Sequence, residues 1–398
     1  MEPAPDINRG KEFLDKAKEI HAKYPLFDGH NDLPWAIRNG FDMKLSNIDL
    51  TKDQRDLKID GIPWGCLHTD IPRLKEGGVG AQFWSVFAPT SLSGSAAVQV
   101  TMEQIDLVHQ LCDKYPSTFE MAYTASEVRS IFASGKIPSV CGIEGGHQIG
   151  GSLRALRMFH KLGARYMTLT HNGGPGWADP AVNADGSFAH SAPLNGLAPF
   201  GVQVVKEMNR IGMIVDISHV HEQTMLSTLE VTRAPVMFSH SSTRALCAHP
   251  RDVPDAVLEK LKVNRGIVMV VFLSKFVAGE FWVRGGQVGA TIIEVADHID
   301  HAVKIAGIDH VGIGGDFDGG SLFAKGCEDV TCYIMLTAEL LYRGYTEEQL
   351  GKILGLNAIR VMEECEEVSK KMKEEGELAN EAHFGEELYE TNIMKGIK

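Results

Sequence analysis

The sequence predicts an α/β fold and, within that class, a single-domain (β/α)8 TIM barrel. Eight short apolar segments typical of buried strands recur along the 398 residues. Segments with the apolar spacing of helices separate most of them, and this alternation indicates a parallel sheet. Eight such units suggest a closed barrel. An open doubly wound sheet is the alternative, but no glycine-rich nucleotide-binding turn follows the first strand.

The predicted strands are short apolar runs, several of them rich in β-branched residues, and they end in polar residues or turns. They cover residues 25–31, 79–88, 137–143, 164–170, 212–218, 235–239, 266–273 and 310–315. Residues 40–75 lack clear periodicity and contain the segment GIPWG, so a long loop is expected there. A second long loop, 172–195, is rich in Gly, Asn, Pro and Asp.

The predicted helices repeat apolar residues at a period near 3.6. They cover residues 10–23, 101–114, 125–134, 152–162, 196–210, 222–231, 254–263, 291–306 and 346–367. The first is a lead-in helix within residues 1–24, and the last leaves 368–398 as a C-terminal tail. No second domain and no internal repeat is predicted, so residues 1–398 are interpreted as one barrel.

Composition limits the partners that the protein is expected to bind. Hydrophobic residues make up 44% of the chain and charged residues 23%, which is typical of a globular protein with a large core. The net charge of -13, without a Lys/Arg cluster, argues against nucleic acids and anionic membranes as partners. The sequence has no secretory h-region, no apolar run long enough to span a bilayer and no hydrophobic C-terminal tail. We therefore expect a cytoplasmic protein.

Polar side chains lie at or just after the C-terminal ends of six predicted strands. His30 lies at the end of the first strand and Asp32 just after it, and with period-two spacing they point the same way. The others are Glu144, His171, His219, His240 and Asp316. In a (β/α)8 barrel these strand ends form one face, where active sites are built. Imidazole and carboxylate groups are good ligands for a divalent metal such as zinc.

Each of these residues also has an ordinary structural interpretation. A single histidine beside a strand is more often a hydrogen-bonded core or loop residue than a metal ligand, and aspartates are common in turns. The rival candidates nearby are Asp28, Asp216, Asp318, His147, His221 and His310. The convergence of so many polar residues on strand ends is what favours a metal site.

Seven motifs, spread across nearly the whole chain, extend this interpretation. They are FDGHNDLPW (27–35), GIEGGH (142–147), RYMTLTHN (165–172), DISHV (216–220), FSHSS (238–242), HPRDVPD (249–255) and GIGGDFDG (312–319). Through these motifs the chain resembles the zinc dipeptidases of the membrane (renal) dipeptidase family. The resemblance implies a barrel that binds two Zn²⁺ per chain, hydrolyses dipeptides and forms a homodimer.

The resemblance also implies roles for individual residues. His30 and Asp32 would bind one zinc, His219 and His240 the other, and Glu144 would bridge the two. A hydroxide shared by the metals would attack the peptide carbonyl.

Three further residues match the family's substrate and proton-transfer positions. His171 would stabilise the oxyanion, Asp316 would act as acid and base, and Arg251 would bind the C-terminal carboxylate of the dipeptide. Asp32 is the candidate for contacting the amino end. Anchored members carry a signal peptide and a lipid-anchor signal, which this sequence lacks, so a soluble form is expected.

Other functions remain as alternatives. Substrates range from general dipeptides to Cys-Gly units of glutathione-derived conjugates in secondary metabolism. Another barrel metallohydrolase, such as a lactonase, deaminase or β-lactam hydrolase, is the second hypothesis. Many of those enzymes carry His-x-His on the first strand, whereas this chain has His30-Asn31-Asp32. A non-catalytic scaffold is disfavoured because every matched position keeps a functional side chain.

Overall fold

The computed structural model describes residues 6–279, 283–284 and 287–385. Its strands are β1 (Leu26–Asn31), β2 (Val79–Phe87), β3 (Phe119–Met121), β4 (Ile137–Glu144), β5 (Ala164–Thr168), β6 (Ile214–Asp216), β7 (Val236–Phe238), β8 (Ile267–Val270), β9 (Val283–Arg284), β10 (Gln287–Val288) and β11 (Val311–Ile313). Eight of them form a parallel sheet in the order β2-β1-β11-β8-β7-β6-β5-β4, and pairing of β2 with β4 closes it. The prediction of a (β/α)8 barrel is confirmed.

The helices follow the strands in sequence and pack around the barrel. They are α1 (Leu14–Lys23), α2 (Leu33–Phe41), α3 (Ile71–Glu76), α4 (Gly94–Lys114), α5 (Ala125–Ala133), α6 (Leu153–Leu162), α7 (Pro199–Ile211), α8 (Glu222–Val231), α9 (Asp255–Asn264), α10 (Ser274–Val277), α11 (Ile292–Ala306), α12 (Tyr333–Tyr342), α13 (Glu347–Gly351) and α14 (Asn357–Glu374). Most predicted helices are present with shifts of a few residues at their ends, although α4 begins seven residues before the predicted 101.

Several elements differ from the prediction, each for a local physical reason. Helices α2 and α3 were not predicted because each has a proline as its second residue, a position in the first turn where a helix tolerates proline. Helix α3 therefore occupies the end of the predicted loop 40–75. Helix α12 is buried along most of its length and so lacks an amphipathic pattern.

The remaining differences concern short strands and the C-terminal helix. Strand β3 pairs with the first residues of β4, outside the eight barrel strands, and β9 and β10 pair with each other in antiparallel orientation. The predicted helix 346–367 is α13, a π-helical turn and α14, and it continues to Glu374, so the tail begins later than the predicted 368. Residues 386–398 of that tail lie outside the described residues.

Aromatic side chains fill the barrel interior beneath its C-terminal rim. The rings of Phe27 and Phe83 stack with centroids 4.6 Å apart, and Phe83 contacts Tyr166 at 5.0 Å. A Cβ atom at Gly142 would lie 2.0 Å from Cζ of Tyr166, so only glycine leaves room for this ring. The packing directs the Tyr166 hydroxyl upward to His30 at the rim.

None of the helices in the described part of the chain combines the length and apolar character that crossing a membrane requires. The longest helix, α4, has 21 residues and carries charged side chains within its length.

Candidate metal centre

The parallel register brings polar residues of neighbouring strands to the same level at the C-terminal rim. Glu144 of β4 pairs with Thr168 of β5, and Thr168 pairs with Asp216 of β6. His30 lies near the end of β1, and the other predicted residues lie at the ends of strands or in the loops that follow them. The rim therefore assembles side chains that are far apart in sequence, as expected for an active-site face.

One group of ligand atoms surrounds the Nε2 atom of His30. This atom lies 3.1 Å from Asp32 Oδ2, 3.6 Å from Glu144 Oε2 and 4.0 Å from Asp316 Oδ1. All of these side chains are buried, with at most 9% of the side chain exposed. Ligand atoms of His30, Asp32 and Asp316 all lie within 4.8 Å of one another, so one cation could contact an imidazole nitrogen and carboxylate oxygens there.

A second group surrounds the other carboxylate oxygen of Glu144. Glu144 Oε1 lies 3.0 Å from Nε2 of His219 and 3.6 Å from Nε2 of both His240 and His171. The Nε2 atoms of His219 and His240 are 2.9 Å apart. The two oxygens of Glu144 thus face two different sets of imidazoles, which is the arrangement that a bridging carboxylate requires.

Buried hydrogen bonds fix the orientation of two of the imidazoles. Nδ1 of His30 lies 2.8 Å from the Tyr166 hydroxyl. The Ser239 hydroxyl donates to Asp216 Oδ2 at 2.6 Å, so it accepts from Nδ1–H of His240 at 2.8 Å. That tautomer leaves a lone pair on Nε2 of His240, directed at the centre.

Charge and burial set the protonation of the site. Burial would raise the pKa of Glu144, but the surrounding histidines outweigh it and hold the pKa well below its usual value. Burial, together with Arg251 nearby, lowers the pKa of His219 and His240 well below the usual value. Burial raises the pKa of Asp316 to about 7, against the influence of His30. Ionised Glu144 with neutral His219 and His240 is the protonation state that metal ligands need.

The backbone is strained at two of these positions. His219 and Asp316 have φ values of 65° and 63°, in the left-handed region that non-glycine residues rarely adopt. Such strain concentrates at functional sites, where the surrounding structure holds a side chain in an otherwise unfavourable direction.

Arg251 lies beside the two groups of ligands, and its guanidinium forms no ion pair with a carboxylate of the described residues. Its side chain is 2% exposed, and its guanidinium lies over the ring of Phe276 at 5.1 Å. Only long contacts of 3.4 Å to Ser241 Oγ and to the His240 carbonyl are present, and Nε has no hydrogen-bond partner among the described residues. A buried, incompletely paired guanidinium is suited to bind the carboxylate of a ligand.

A cavity of about 860 Å³ opens onto these side chains. Asp32, Glu144, His171, His219, Arg251 and Asp316 all line it. Many of the other lining residues are apolar or aromatic, and they come from the end of β2 and from the segments that follow β1, β5, β7 and β8. This combination of an apolar wall and a few convergent polar groups is typical of a small-molecule site.

The rival histidines serve structural roles. His147 Nε2 bonds the Ala88 carbonyl, His221 caps α8 by accepting from Gln223 N–H, and His310 Nδ1 bonds the Gly266 carbonyl.

The rival aspartates Asp28 and Asp216 accept hydrogen bonds that connect neighbouring segments beneath the rim. Asp28 accepts from Gly315 N–H at 2.7 Å, and Asp216 accepts from the hydroxyls of Thr168 and Ser239. No local pattern in the sequence separates Asp216 or Tyr166 from other core residues. Both residues support the site through contacts with other strands. The sequence indicates only that Tyr166 and Thr168, two residues apart, share the inner face of β5.

The residues present fit a centre that binds divalent cations. Three buried carboxylates, those of Asp32, Glu144 and Asp316, share the rim with one buried guanidinium. Bound cations would balance this excess of buried negative charge, which is otherwise costly. Imidazole nitrogens and carboxylate oxygens in three overlapping groups suit zinc by donor type.

Comparisons with known proteins match the chain to one protein family and to a named relative. The profile of the membrane dipeptidase family (peptidase family M19) matches residues 14–376. Dipeptidase verJ of Clonostachys rogersoniana is 41% identical over 395 residues, which cover 97% of this chain and 95% of that protein.

Two solved structures support the same relationship. One is dipeptidase AC, a metallo peptidase of family M19, with 27% identity, a TM-score of 0.72, and coverage of 86% of this chain and 98% of that one. The other is a metallo peptidase from Rhodobacter sphaeroides liganded with a phosphinate mimic of the dipeptide L-Ala-D-Ala. It has 26% identity, a TM-score of 0.71, and coverage of 86% of this chain and 99% of that one.

Proposed function

Because the chain belongs to the membrane dipeptidase family, peptidase family M19, and is a metallo-dipeptidase, we propose that it hydrolyses dipeptides at a centre of two zinc ions. The observation that carries this proposal is the placement of Glu144, whose two oxygens face His30 on one side and His219 with His240 on the other. His30 and Asp32 would bind one zinc, and His219 and His240 the other. When bound, the ions would supply Lewis acidity toward the peptide carbonyl and lower the pKa of the attacking water.

The chain's own residues would position the substrate and move the proton. His171 lines the cavity beside Glu144 and would donate a hydrogen bond to the oxygen on which charge develops. Asp316 would take the proton of the attacking water and deliver it to the leaving amine nitrogen. Its location 4.0 Å from His30 Nε2 puts it next to the proposed centre.

Restriction to dipeptides requires recognition of both ends of the substrate. Arg251 would bind the C-terminal carboxylate, since its guanidinium is buried, lines the cavity and has no carboxylate partner among the described residues. Asp32 would contact the amino end. Substrates are expected to include Cys-Gly units of glutathione-derived conjugates, and dipeptidase activity in a 41% identical relative supports the dipeptide class. A homodimer and a cytoplasmic location stay predictions from the sequence.

Replacing Arg251 by alanine is expected to raise KM for a free dipeptide about 100-fold, because a buried charge-assisted bond to the carboxylate is lost. For the wild-type enzyme, blocking the carboxyl end of the dipeptide as an amide should raise KM by a similar factor. Steady-state kinetics on zinc-loaded protein, with Ala-Ala and Ala-Ala-amide, measures both effects.

The variant Arg129→Ala provides the matched control, since Arg129 ion-pairs with Glu363 on the outer surface of the barrel. It should keep wild-type kinetics. Equal turnover of free and amidated dipeptide by the wild type would remove Arg251 from the proposed role. Failure to cleave any dipeptide, with hydrolysis of a lactone instead, would favour the other barrel metallohydrolases.

A further inference from the structure

One wall of the cavity comes from the loop between α2 and α3, through Gly61, Ile62, Pro63 and Trp64. Trp64 is half-buried, and its indole stacks on the ring of His68 with centroids 5.7 Å apart and planes 16° apart. His68 in turn packs edge-on against Phe323 at 4.8 Å. The indole is therefore held against the rest of the rim on one face.

A reciprocal pair of hydrogen bonds ties this wall to the loop that carries Asp316. His68 N–H donates to Asp318 Oδ1 at 2.7 Å, and Asp318 N–H donates to Nδ1 of His68 at 3.0 Å. Asp318 is fully buried and has a φ of 61°, so its conformation is maintained by these contacts rather than by local preference. The pair fixes the distance between the Trp64 wall and the loop of the proposed acid and base.

The Trp64 wall lies on the side of the barrel where we expect the N-terminal residue of a dipeptide substrate. Gly61 lies against the Asn39 carbonyl of α2, the helix that begins directly after Asp32. Arg251 lies at a different part of the rim, where it contacts His240 after β7 and Phe276 after β8. Strand β11 separates β1 from β8 in the sheet. A dipeptide with its carboxylate on Arg251 and its amine toward Asp32 would thus direct its N-terminal side chain to the part of the rim beside β1, where the Trp64 wall lies.

We propose that Trp64 determines which N-terminal side chains the enzyme prefers, and that His68 and Asp318 are the residues that position it. The proposal rests on the proposed function, because it assumes that Arg251 and Asp32 bind the two ends of a dipeptide. A flat indole beside Ile62 and Pro63 favours an aromatic or otherwise large apolar N-terminal residue, through apolar contact area and ring packing.

The test compares Phe-Ala with Ala-Ala on zinc-loaded enzyme. Trp64→Ala is expected to raise KM for Phe-Ala about tenfold, in line with the loss of an aromatic anchor. The KM for Ala-Ala and kcat for both substrates should change less than about twofold, because the chemistry lies elsewhere. Trp64→Phe should restore most of the preference. The dissociation constant of a phosphinate analogue of Phe-Ala, measured by calorimetry, should follow KM.

The positioning role is tested by a double-mutant cycle. His68→Ala is expected to raise KM for Phe-Ala in the wild-type background and to have no further effect in Trp64→Ala, since His68 acts through the indole. Leu57→Ala is the control, because Leu57 lies in the same loop, is 43% exposed and does not line the cavity. It should leave all constants unchanged.

Equal changes in KM for Phe-Ala and Ala-Ala in Trp64→Ala would overturn the specificity role. Additive effects of His68→Ala and Trp64→Ala would overturn the positioning role of His68. If His68→Ala does not fold, the Trp64 variants still decide the specificity role, and His68→Gln replaces it in the cycle. A wild-type enzyme that cleaves neither dipeptide would contradict the proposed function, whereas cleavage without side-chain preference contradicts only this inference.

Discussion

Replacing Glu144 by glutamine is expected to lower kcat/KM for dipeptides by about three orders of magnitude, or roughly 4 kcal/mol of transition-state stabilisation. The amide keeps the size of the side chain but removes the negative charge that faces His30, His171 and His219 within 3.6 Å. A neutral amide oxygen cannot serve two cations as a carboxylate does, so metal content should fall as well. Metal analysis by mass spectrometry, alongside steady-state kinetics, measures both consequences.

The control for this experiment is Glu363→Gln on the outer surface of α14, where the carboxylate pairs with Arg129. It should retain wild-type activity and metal content. Wild-type turnover in Glu144→Gln would show that no bridging carboxylate is needed and would remove the basis of the dinuclear assignment.

Replacing Asp316 by asparagine is expected to reduce kcat about 1,000-fold, the scale of a lost general acid and base, while KM changes little. Metal content should stay near that of the wild type, because the histidines and Glu144 remain. Burial raises the pKa of Asp316 to about 7, and bound cations would lower it. Activity of the wild type should therefore fall as the pH drops below the pKa of this carboxyl group and the base becomes protonated.

The pH-rate profile separates this role from a structural one. Residual activity of Asp316→Asn should lose the acidic limb that the wild type shows, since asparagine does not titrate. Asp106→Asn, on the outer helix α4 beside Gln110, is the control and should keep the wild-type profile. An unchanged acidic limb in Asp316→Asn would assign that limb to another group.

The barrel and the set of rim residues could be predicted from the sequence because both depend on local patterns. Each apolar run predicts a strand, and the polar residue at its end, such as His30, Glu144 or Asp316, predicts a position at the rim. The parallel topology brings these strand ends to one face. Helices α2 and α3 could not be predicted in this way, because Pro34 and Pro72 resemble helix breakers unless their place in the first turn is known.

The supporting residues could not be predicted, because their contacts join distant parts of the chain. Tyr166 reaches His30 only because Gly142 on the neighbouring strand leaves space for its ring. Asp318 and His68 are 250 residues apart in sequence. No spacing rule relates such positions, and the loops that line the cavity have no periodicity to interpret.

Crystallography at the zinc absorption edge tests the proposed dinuclear centre most directly. We expect two anomalous peaks per chain on either side of the Glu144 carboxylate, one bound by His30 and Asp32 and the other by His219 and His240. A single peak, or peaks that these five side chains do not contact, would contradict a zinc pair bridged by Glu144.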